Sequence, residues 1–380
     1  MSVTKRLDKN GKNRWLVRVE QPDPLTGKRR RVTVGTFPTK REAELAEAKA
    51  ITARERGSLI EPDTATVAEL LDTWMASKAA DVTAQTTAGY AIIIRVHLKP
   101  AFGTVRVQKL TAARVQALYG EWRDAGMSGR TMRECHLVLS QALGQAARFG
   151  VVQSNICHVV TSPRRERSTP AVWSSHEAMT FIDVAQHDRL SVLWHLLLLE
   201  GMRRGEALGL RWQDINWNRG TAHISQSVRA GIAKGEAIIQ SRTKTSAGTR
   251  TVRLTSRTLA VLKEHRKQWL ERKLAAETWA DHDLIICTGK GTPVNPGNVR
   301  KHFDAVVRRA GLRRITPHGL RHTHATMLLK QGVPAKIVSE RLGHASIGIT
   351  LDTYSHVLPD MQDTAAAAMD TIMNGLREQA

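Results

Sequence analysis

The first apolar positions of the chain alternate with polar ones, as they do along a strand that buries one face. Trp15, Val17 and Val19 share one side, a turn-rich PDPLTGK follows, and the sequence then returns as RRRVTVGTF. This pattern predicts a hairpin of two strands. Thr39 and Glu42 next have the spacing of a capping box, which predicts the start of a helix. The chain therefore opens with a sheet that carries a helix.

The apolar spacing changes to that of helices between residues 67 and 160. Thr66 and Glu69 form a second capping box, and three further helices are predicted at Tyr90 to Leu98, Ala112 to Trp122 and Thr131 to Phe149. Polar, proline-containing segments flank this region, SLIEPDTAT before it and TSPRRERSTP after it. Such segments are typical of domain boundaries. We therefore expect a multidomain α+β protein with domains at residues 1–60, 64–160 and 171–380.

Length and charge narrow the class of protein. At 380 residues the chain is too long for one ordinary core, and 57 Lys and Arg against 35 Asp and Glu give a net charge of +22. This excess indicates a polyanionic partner, with nucleic acid favoured over a membrane surface. No apolar run approaches the ~20 residues of a spanning helix, and the N-terminus lacks a signal-peptide core. We expect a soluble, cytosolic protein.

A basic run from Lys28 to Arg31 lies at the start of the second predicted strand. Strands can enter the major groove of DNA, so Arg29, Arg30 and Arg31 are candidate DNA contacts. An isolated basic run is more commonly a solvated turn. The charge of the whole chain favours DNA contact here.

TPHGLRHTHATMLLK, residues 316–330, crowds three histidines and an arginine ahead of an apolar stretch. Thr316 suits an N-cap and Pro317 the first helical position, so His318 lies in the first turn and Arg321 one turn further on the same face. Both side chains project near the positive end of the helix dipole, which attracts anions. The segment therefore predicts a site for phosphate or another anion.

A metal site is the alternative for these histidines, because His318 and His322 have the i, i+4 spacing of a zinc-binding helix. The glutamate of that pattern is missing, since Gly319 follows the first histidine, and Arg321 would lie beside the cation. Three widely separated cysteines argue against a Cys-based site. We rank metal below phosphate, with a plain structural helix face between them, and expect no metal.

A second segment, GMRRGEALGLRW at residues 201–212, predicts a turn between two helices that presents Arg203. Glu206, three residues later, can hold this guanidinium while leaving donors free for a bidentate phosphate contact. Taken alone, the segment is better interpreted as an ordinary helix-turn-helix with an ion pair.

Two further segments add a lysine and a tyrosine. QSRTKTSAGTRTVRL, residues 240–254, predicts two strands around a Ser-Ala-Gly turn, with Lys244 at the edge of that hairpin. In SERLGHASIGITLDTYSHVLPD, residues 339–360, Gly343 predicts a helix end, His344 follows it, and a short helix carries Tyr354. Of the three tyrosines, only this one has histidines close by in the sequence.

As an ordered set, GMRRGEALGLRW, the Lys244 hairpin, HGLRHTHAT and LGHASIGITLDTYSH resemble the tyrosine recombinases, the phage integrase family. KPAFGTVRVQKLTAARVQALY resembles that family's core-site DNA-binding domain, and the N-terminal segment resembles its arm-type domain. The resemblance implies an arm-binding domain of a three-stranded sheet plus helix and an all-α core-binding domain. It further implies a mixed, mainly α catalytic domain with a small antiparallel sheet.

The resemblance also implies the chemistry of a site-specific recombinase that integrates or excises a phage or mobile element. A tyrosine, here Tyr354, attacks a DNA phosphate and forms a 3′-phosphotyrosyl link, which a 5′-hydroxyl later reverses. Arg203 and Arg321 would clamp the non-bridging oxygens, and Lys244 would be the general acid for the 5′ leaving oxygen. Because the covalent ester conserves the energy for resealing, neither metal nor another cofactor is implied.

The remaining roles follow from the same resemblance. His318 and His344 would share proton transfer and hydrogen bonding to the phosphate, with Glu206 orienting Arg203, while His322 and His324 would be structural or supporting. Two departures from the family pattern occur: Gly319 stands where an aspartate is usual, and Ile156 stands where a proline usually follows the asparagine.

The implied partners are double-stranded DNA attachment sites, accessory DNA-bending proteins and further copies of the chain in a synaptic tetramer. An apolar stripe in residues 361–380 could form a helix that packs on its own domain or on a neighbouring protomer. Three other classes of protein use similar features: a DNA-binding regulator without strand-transfer activity, a type IB topoisomerase and a metal-dependent nuclease.

Overall fold

The computed structural model describes residues 2–9, 11–22, 28–55, 59–164, 170–233, 235–241, 249–355, 366–367, 369–372 and 374. The chain divides into two compact units, Met1–Arg167 and Ser168–Ala380. Lys244 and most of the predicted C-terminal stripe lie outside the described residues. No helix within the described ranges is long and apolar enough to cross a membrane.

The first unit opens with an antiparallel sheet of strand order β1-β2-β3 and one helix. Their bounds are β1 Ser2–Leu7, β2 Asn13–Pro22, β3 Arg29–Phe37 and α1 Lys40–Glu55. Val17 and Val19 are buried as the alternation predicts. The capping box also forms, since Glu42 N donates to Thr39 Oγ1 and Thr39 N to Glu42 Oε2, both at 3.3 Å. The predicted sheet-plus-helix arrangement, with its three strands, is confirmed.

The rest of the first unit is helical, as predicted. Its α-helices are α2 Val67–Lys78, α3 Ala84–Ile93, α4 Lys99–Phe102, α5 Ala112–Asp124 and α6 Gly129–Arg148. A π-helical turn, Ile94–Leu98, joins α3 to α4. The helix expected from Tyr90 begins earlier because the side chain of Thr83 accepts a hydrogen bond from Thr86 N and caps it at Ala84.

The second unit surrounds small sheets with helices. Its elements are α7 Ser175–Ala185, α8 Ser191–Leu198, α9 Arg204–Gly209, β4 Ile215–Asn216, β5 Thr221–Ile224, β6 Gln226–Ala230, β7 Ala237–Ser241, β8 Arg250–Arg253, α10 Ser256–Ala275, α11 Pro296–Arg309, α12 Pro317–Lys330, α13 Ala335–Leu342 and α14 Ile347–Tyr354. The strands form one sheet of order β4-β5-β8 and a β6-β7 pair. This is the expected mainly α domain with small antiparallel sheets.

The hairpin predicted within residues 240–254 is wrong in its pairing. β7 pairs with β6, and β8 pairs with β5 so that Val252 lies opposite Ala222 in the core. The segment between the two strands, residues 242–249, is longer than the usual hairpin loop of about two to five residues. Each strand therefore satisfies its hydrogen bonds with a different partner.

A buried aromatic cluster supports the helices of this unit. Trp173, Phe181 of α7, Trp194 of α8 and Phe303 of α11 contact one another with ring centroids 5.0 to 6.0 Å apart. The backbone N of Trp173 also donates to Thr323 Oγ1 of α12 at 3.0 Å. Helix α12, which carries the predicted anion-binding residues, is thereby fixed to the core.

Candidate active site

Helix α12 begins as its sequence predicts. The Thr316 side chain accepts a hydrogen bond from Gly319 N at 3.1 Å, and Pro317 is the first helical residue. Arg321 lies one turn beyond His318 and is only 2% exposed. A side chain at Gly319 would meet Ile315, which lies 3.1 Å from the position of an added Cβ. A larger residue at this position would therefore require Ile315 to shift slightly.

Glu206 links two arginines at the start of α9. Its Oε1 accepts from Arg203 Nη1 at 2.8 Å, and its Oε2 accepts from Arg250 Nη2 at 2.8 Å. Burial alone would raise the pKa of Glu206, but the hydrogen bond and charge of Arg250, together with Arg203, outweigh it and lower the pKa to about 2. Glu206 is therefore a buried carboxylate that orients two guanidinium groups. Arg250 was not singled out from the sequence, although it lies in the segment predicted to carry Lys244.

Three guanidinium groups converge on the C-terminal end of α13. Arg250 Nε donates to Arg341 O at 2.8 Å, Arg321 Nη2 to Leu342 O at 2.7 Å, and Arg203 Nη2 to Gly343 O at 2.7 Å. The last carbonyls of a helix lack helical partners and lie at the negative end of its dipole, so they attract cations. Arg203 and Arg321, far apart in the sequence, are thus brought to adjacent carbonyls.

Arg321 is held on its other side as well. Its Nη1 donates to Gly201 O at 2.8 Å. Burial, and then the charge of Arg203, lower the pKa of Arg321 to about 9, so it remains a cation at neutral pH. Two like charges are therefore held close together, which is the arrangement that a bound anion would stabilise.

A second buried network fixes α13 beside α8. Arg341 donates from Nη2 to Glu200 Oε2 at 2.6 Å and from Nε to His324 Nε2 at 3.2 Å. His324 Nδ1 in turn donates to Leu198 O at 3.0 Å, which defines its tautomer. Burial, and then the charge of Arg341, lower the pKa of His324 to about 3, so the ring is neutral. His324 thus links α13 to the end of α8, which fits the structural or supporting role that the resemblance implies.

Gly201 allows α8 and α12 to approach. It has φ +66°, and an added Cβ would lie 2.5 Å from His324 Cδ2 and 2.9 Å from Leu342 Cδ2. We expect Gly201→Ala to lower the free energy of unfolding by about 2–4 kcal/mol, because backbone strain and overpacking add. Gly311→Ala is the matched control, since that residue has φ +64° but nothing within 4 Å of the new Cβ. Equal losses in urea unfolding of the two variants would contradict the proposed clash.

Tyr354 lies at the end of α14 and is 2% exposed. Its hydroxyl is 2.7 Å from His322 Nδ1, and the His322 and His318 ring centroids are 4.7 Å apart. Burial raises the pKa of Tyr354 to about 12, although the charge of Arg321 opposes the rise. The phenol is therefore protonated at neutral pH.

His344 follows the carbonyls that the arginines bind. Its Nδ1 lies 2.7 Å from Thr350 Oγ1 of α14. Burial, and then the charges of Arg321 and Arg203, lower the pKa of His344 to about 4. Burial and the charge of Arg321 also lower the pKa of His318. Both histidines are neutral at pH 7 and can accept or donate a hydrogen bond.

Comparison with known families decides what this cluster belongs to. The profile of the phage integrase family matches residues 174–361. The profile of the phage integrase N-terminal SAM-like domain matches residues 66–123, and that of an arm DNA-binding domain matches residues 3–53. The chain belongs to the phage integrase family of tyrosine recombinases. It is a site-specific recombinase of the kind used by phages and other mobile elements, as the sequence motifs predicted.

Individual relatives agree with this assignment. A XerC-like tyrosine recombinase of Caldanaerobacter subterraneus is 27% identical over 358 residues, which cover 88% of this chain and 90% of the relative. The Tn1549 transposon integrase, solved in complex with circular intermediate DNA, has the same fold over 81% of this chain and 99% of its own, with TM-score 0.69 and 19% identity. A lambda integrase tetramer bound to a Holliday junction matches 94% of this chain and 95% of its own, with TM-score 0.58 and 18% identity.

Within this recombinase the predicted site residues fall into three groups. Those brought together in the second unit are Arg203, Glu206, His318, Arg321, His344 and Tyr354. Lys244 lies outside the described residues. Among the described residues, no group of three or more His, Cys, Asp or Glu side chains could hold a metal ion.

The third group, the basic run of β3, lies in the first unit. Arg31 Nε is 3.0 Å from Glu20 Oε1, and Arg30 forms an ion pair with Glu61. Arg29 is exposed. Because two of the three guanidinium groups already have acidic partners, a DNA phosphate would have to compete with those carboxylates, and DNA contact by this run stays a prediction.

The buried carboxylate of Glu206 should make the stability of the recombinase fall at acid pH. The pKa of Glu206, about 2 when folded, lies below its ordinary 4.5, so its contribution to stability is complete above pH 4.5 and is lost as the pH falls toward 2. This difference corresponds to about 3 kcal/mol. We expect Glu206→Gln to flatten the fall in urea-unfolding free energy across that window. If the unfolding free energy of Glu206→Gln fell as steeply with decreasing pH as that of the native chain, Glu206 would not be the cause of the acid destabilisation.

Proposed function

We propose that this recombinase cleaves and rejoins DNA by direct attack of Tyr354 on a backbone phosphate held by Arg203 and Arg321. One observation carries the proposal: both guanidinium groups donate to adjacent carbonyls at the end of α13. The helix that follows, α14, carries Tyr354 back to α12, where its hydroxyl bonds to the residue next to Arg321. Nucleophile and anion-binding groups are therefore parts of one cluster.

The arginines supply the charge that the reaction needs. Negative charge builds on the non-bridging oxygens as the tyrosine attacks, and donors already aimed at that position stabilise the transition state without reorganisation. Arg203 is one-third exposed, with a 34% accessible side chain, so it can reach a substrate while Glu206 holds it from behind. Arg321 is fixed by two backbone carbonyls and contributes a buried positive charge.

The covalent steps conserve both energy and atoms. The phenolic oxygen of Tyr354 gives up its proton to a neutral histidine of the cluster and forms a bond to phosphorus. The bond from phosphorus to the 5′ oxygen breaks at the same time, and that oxygen takes up a proton. Lys244 is the proposed general acid, by resemblance. His318 and His344 are neutral and can hydrogen-bond to the phosphate or relay protons. The 5′-hydroxyl of a partner strand then reverses the reaction.

The same proposal assigns the domains and partners. Residues 1–60 would be the arm-type DNA-binding domain, residues 64–160 the core-site domain and residues 171–380 the catalytic domain. The net charge of +22 supports binding to DNA attachment sites, and the tetramer formed by lambda integrase supports a synaptic tetramer. Accessory DNA-bending proteins and a cytoplasmic, nucleoid-associated location complete the proposal.

Covalent capture tests this function without knowledge of the attachment site. The chain is incubated in EDTA with a pool of nicked duplexes of randomised sequence, so that cleavage beside the nick releases a short fragment and traps the enzyme. We expect a protein-DNA complex that survives denaturing electrophoresis and carries DNA on a tyrosine. DNA binding without a covalent complex would favour the regulator, and a requirement for a divalent metal would favour the nuclease. Relaxation of supercoiled plasmid without recombination would favour the topoisomerase.

A further inference from the structure

The hydroxyl of Tyr354 has a partner that the resemblance does not assign to the reaction. It lies 2.7 Å from Nδ1 of His322, the residue that follows Arg321 on α12. His322 is also one turn from His318, and their rings meet edge to face with centroids 4.7 Å apart and an interplanar angle of 86°. His322 therefore stands between the nucleophile and the anion-binding face of α12.

The protonation states define the direction of this hydrogen bond. Burial, and then the charges of His318 and Arg321, lower the pKa of His322 to about 4, so its ring is neutral at pH 7. Burial keeps Tyr354 protonated. The phenol O–H can then donate to the Nδ1 lone pair, with the imidazole proton on Nε2. Because the hydroxyl hydrogen points at His322, the oxygen lone pairs point away from the ring.

We propose that His322 is a positioning residue for strand cleavage, whose Nδ1 holds the Tyr354 hydroxyl so that its lone pairs face the phosphate bound by Arg203 and Arg321. This inference rests on the proposed function and adds a residue to it. A phenol ring fixed only by packing could still turn its O–H among several directions. Positioning of reacting atoms is worth large factors in rate, and a misplacement of about 1 Å can cost about 100-fold.

The chain offers a matched pair of the same kind outside the site. Tyr119 Oη lies 3.1 Å from His136 Nδ1, and both residues are buried in the core of the helical part of the first unit. This pair joins the same two atoms, and its tyrosine is as buried as Tyr354, but it has no arginine cluster beside it among the described contacts. It provides an internal reference for the hydrogen bond alone.

Three substitutions separate the hydrogen bond from the bulk of the ring. In His322→Asn, the side-chain oxygen can occupy the place of Nδ1. In His322→Gln, the longer side chain places its amide oxygen at the position of Nε2 instead. His322→Phe keeps an aromatic ring but has no hydrogen-bond acceptor. If the imidazole contributes only packing, the phenylalanine variant should differ least from the native chain. If the imidazole holds the hydroxyl, the asparagine variant should differ least.

The first readout needs no DNA. The chain has three tyrosines, so labelling their Cζ carbons with ¹³C gives three signals, and Tyr354→Phe identifies the one of interest. We expect that signal to move in His322→Phe and His322→Gln but to stay near its native position in His322→Asn. His136→Phe should move the Tyr119 signal instead. If the chemical shift of the Tyr354 signal stayed the same in all three His322 variants, the proposed hydrogen bond would be overturned.

The second readout is the single-turnover rate of covalent complex formation with the pool of nicked duplexes. We expect His322→Phe and His322→Gln to be slower by about 10- to 100-fold at unchanged DNA affinity, with His322→Asn close to native. Equal rates in all three variants, or a slow asparagine variant and a fast phenylalanine variant, would overturn the inference. If the native chain itself forms no covalent complex, the proposed function fails, and the inference falls with it.

Discussion

Tyr354→Phe is expected to abolish covalent complex formation while leaving the fold and DNA affinity intact. The substitution removes only the phenolic oxygen, which is the proposed nucleophile. The fold loses one hydrogen bond, to His322 at 2.7 Å, which is worth about 1 kcal/mol. The aromatic ring keeps its packing against Leu329, Val338 and Leu342. Denaturing gels with the nicked duplex pool measure the covalent product, and gel shifts measure binding.

Tyr119→Phe is the control for this prediction. It removes an equally buried hydroxyl and an equivalent bond to a histidine Nδ1, at 3.1 Å, from the helical part of the first unit. We expect this variant to form the covalent complex at the native rate. A similar loss in both variants would mean that the hydroxyl of Tyr354 acts through stability, and a covalent product in Tyr354→Phe would exclude it as the nucleophile.

Arg203→Lys is expected to slow covalent complex formation by about 10²- to 10³-fold, the usual cost of removing one donor from a developing oxyanion. The guanidinium donates to Glu206 and to Gly343 O at the same time, with a planar group whose charge persists at any working pH. A lysine ammonium has one nitrogen and cannot occupy both positions while it binds a phosphate. The loss should therefore appear in the rate of cleavage more than in DNA affinity.

Arg211→Lys is the matched control for the arginine. Arg211 also precedes a helical turn, pairs with an acid three residues later at 2.7 Å, and has a side chain that is 27% accessible. Its further partner is Ser225 Oγ rather than the end of α13. We expect this variant to cleave at the native rate, and equal losses in the two variants would show that Arg203 serves only as an ion-pair partner.

Local signals in the sequence were sufficient for much of the site. The cap at Thr316 and the proline after it define the start of α12, and with it the positions of His318 and Arg321. The i, i+3 spacing gives the Arg203–Glu206 pair directly. Such features depend only on residues within one helical turn, so they can be predicted without knowledge of the tertiary structure.

Features that depend on distant segments could not be read in the same way. The strands of residues 237–241 and 250–253 pair with different neighbours, because Val252 completes a core around β5 that no local pattern reveals. Arg250 reaches Glu206 only through that pairing. The contact of His322 with Tyr354 likewise requires α14 to return to α12. Convergence of three arginines on α13 is a tertiary property.

The most direct test of the mechanism is a crystal structure of the chain with orthovanadate and a duplex that lacks the scissile phosphate and has free 3′- and 5′-hydroxyls at that position, so that vanadate takes the place of the phosphate in its transition state. We predict vanadium bonded to the phenolic oxygen of Tyr354, with Arg203 and Arg321 donating to its other oxygens at about 2.7–3.1 Å. Vanadium bonded to a different nucleophile, or bound without either arginine, would contradict the central claim.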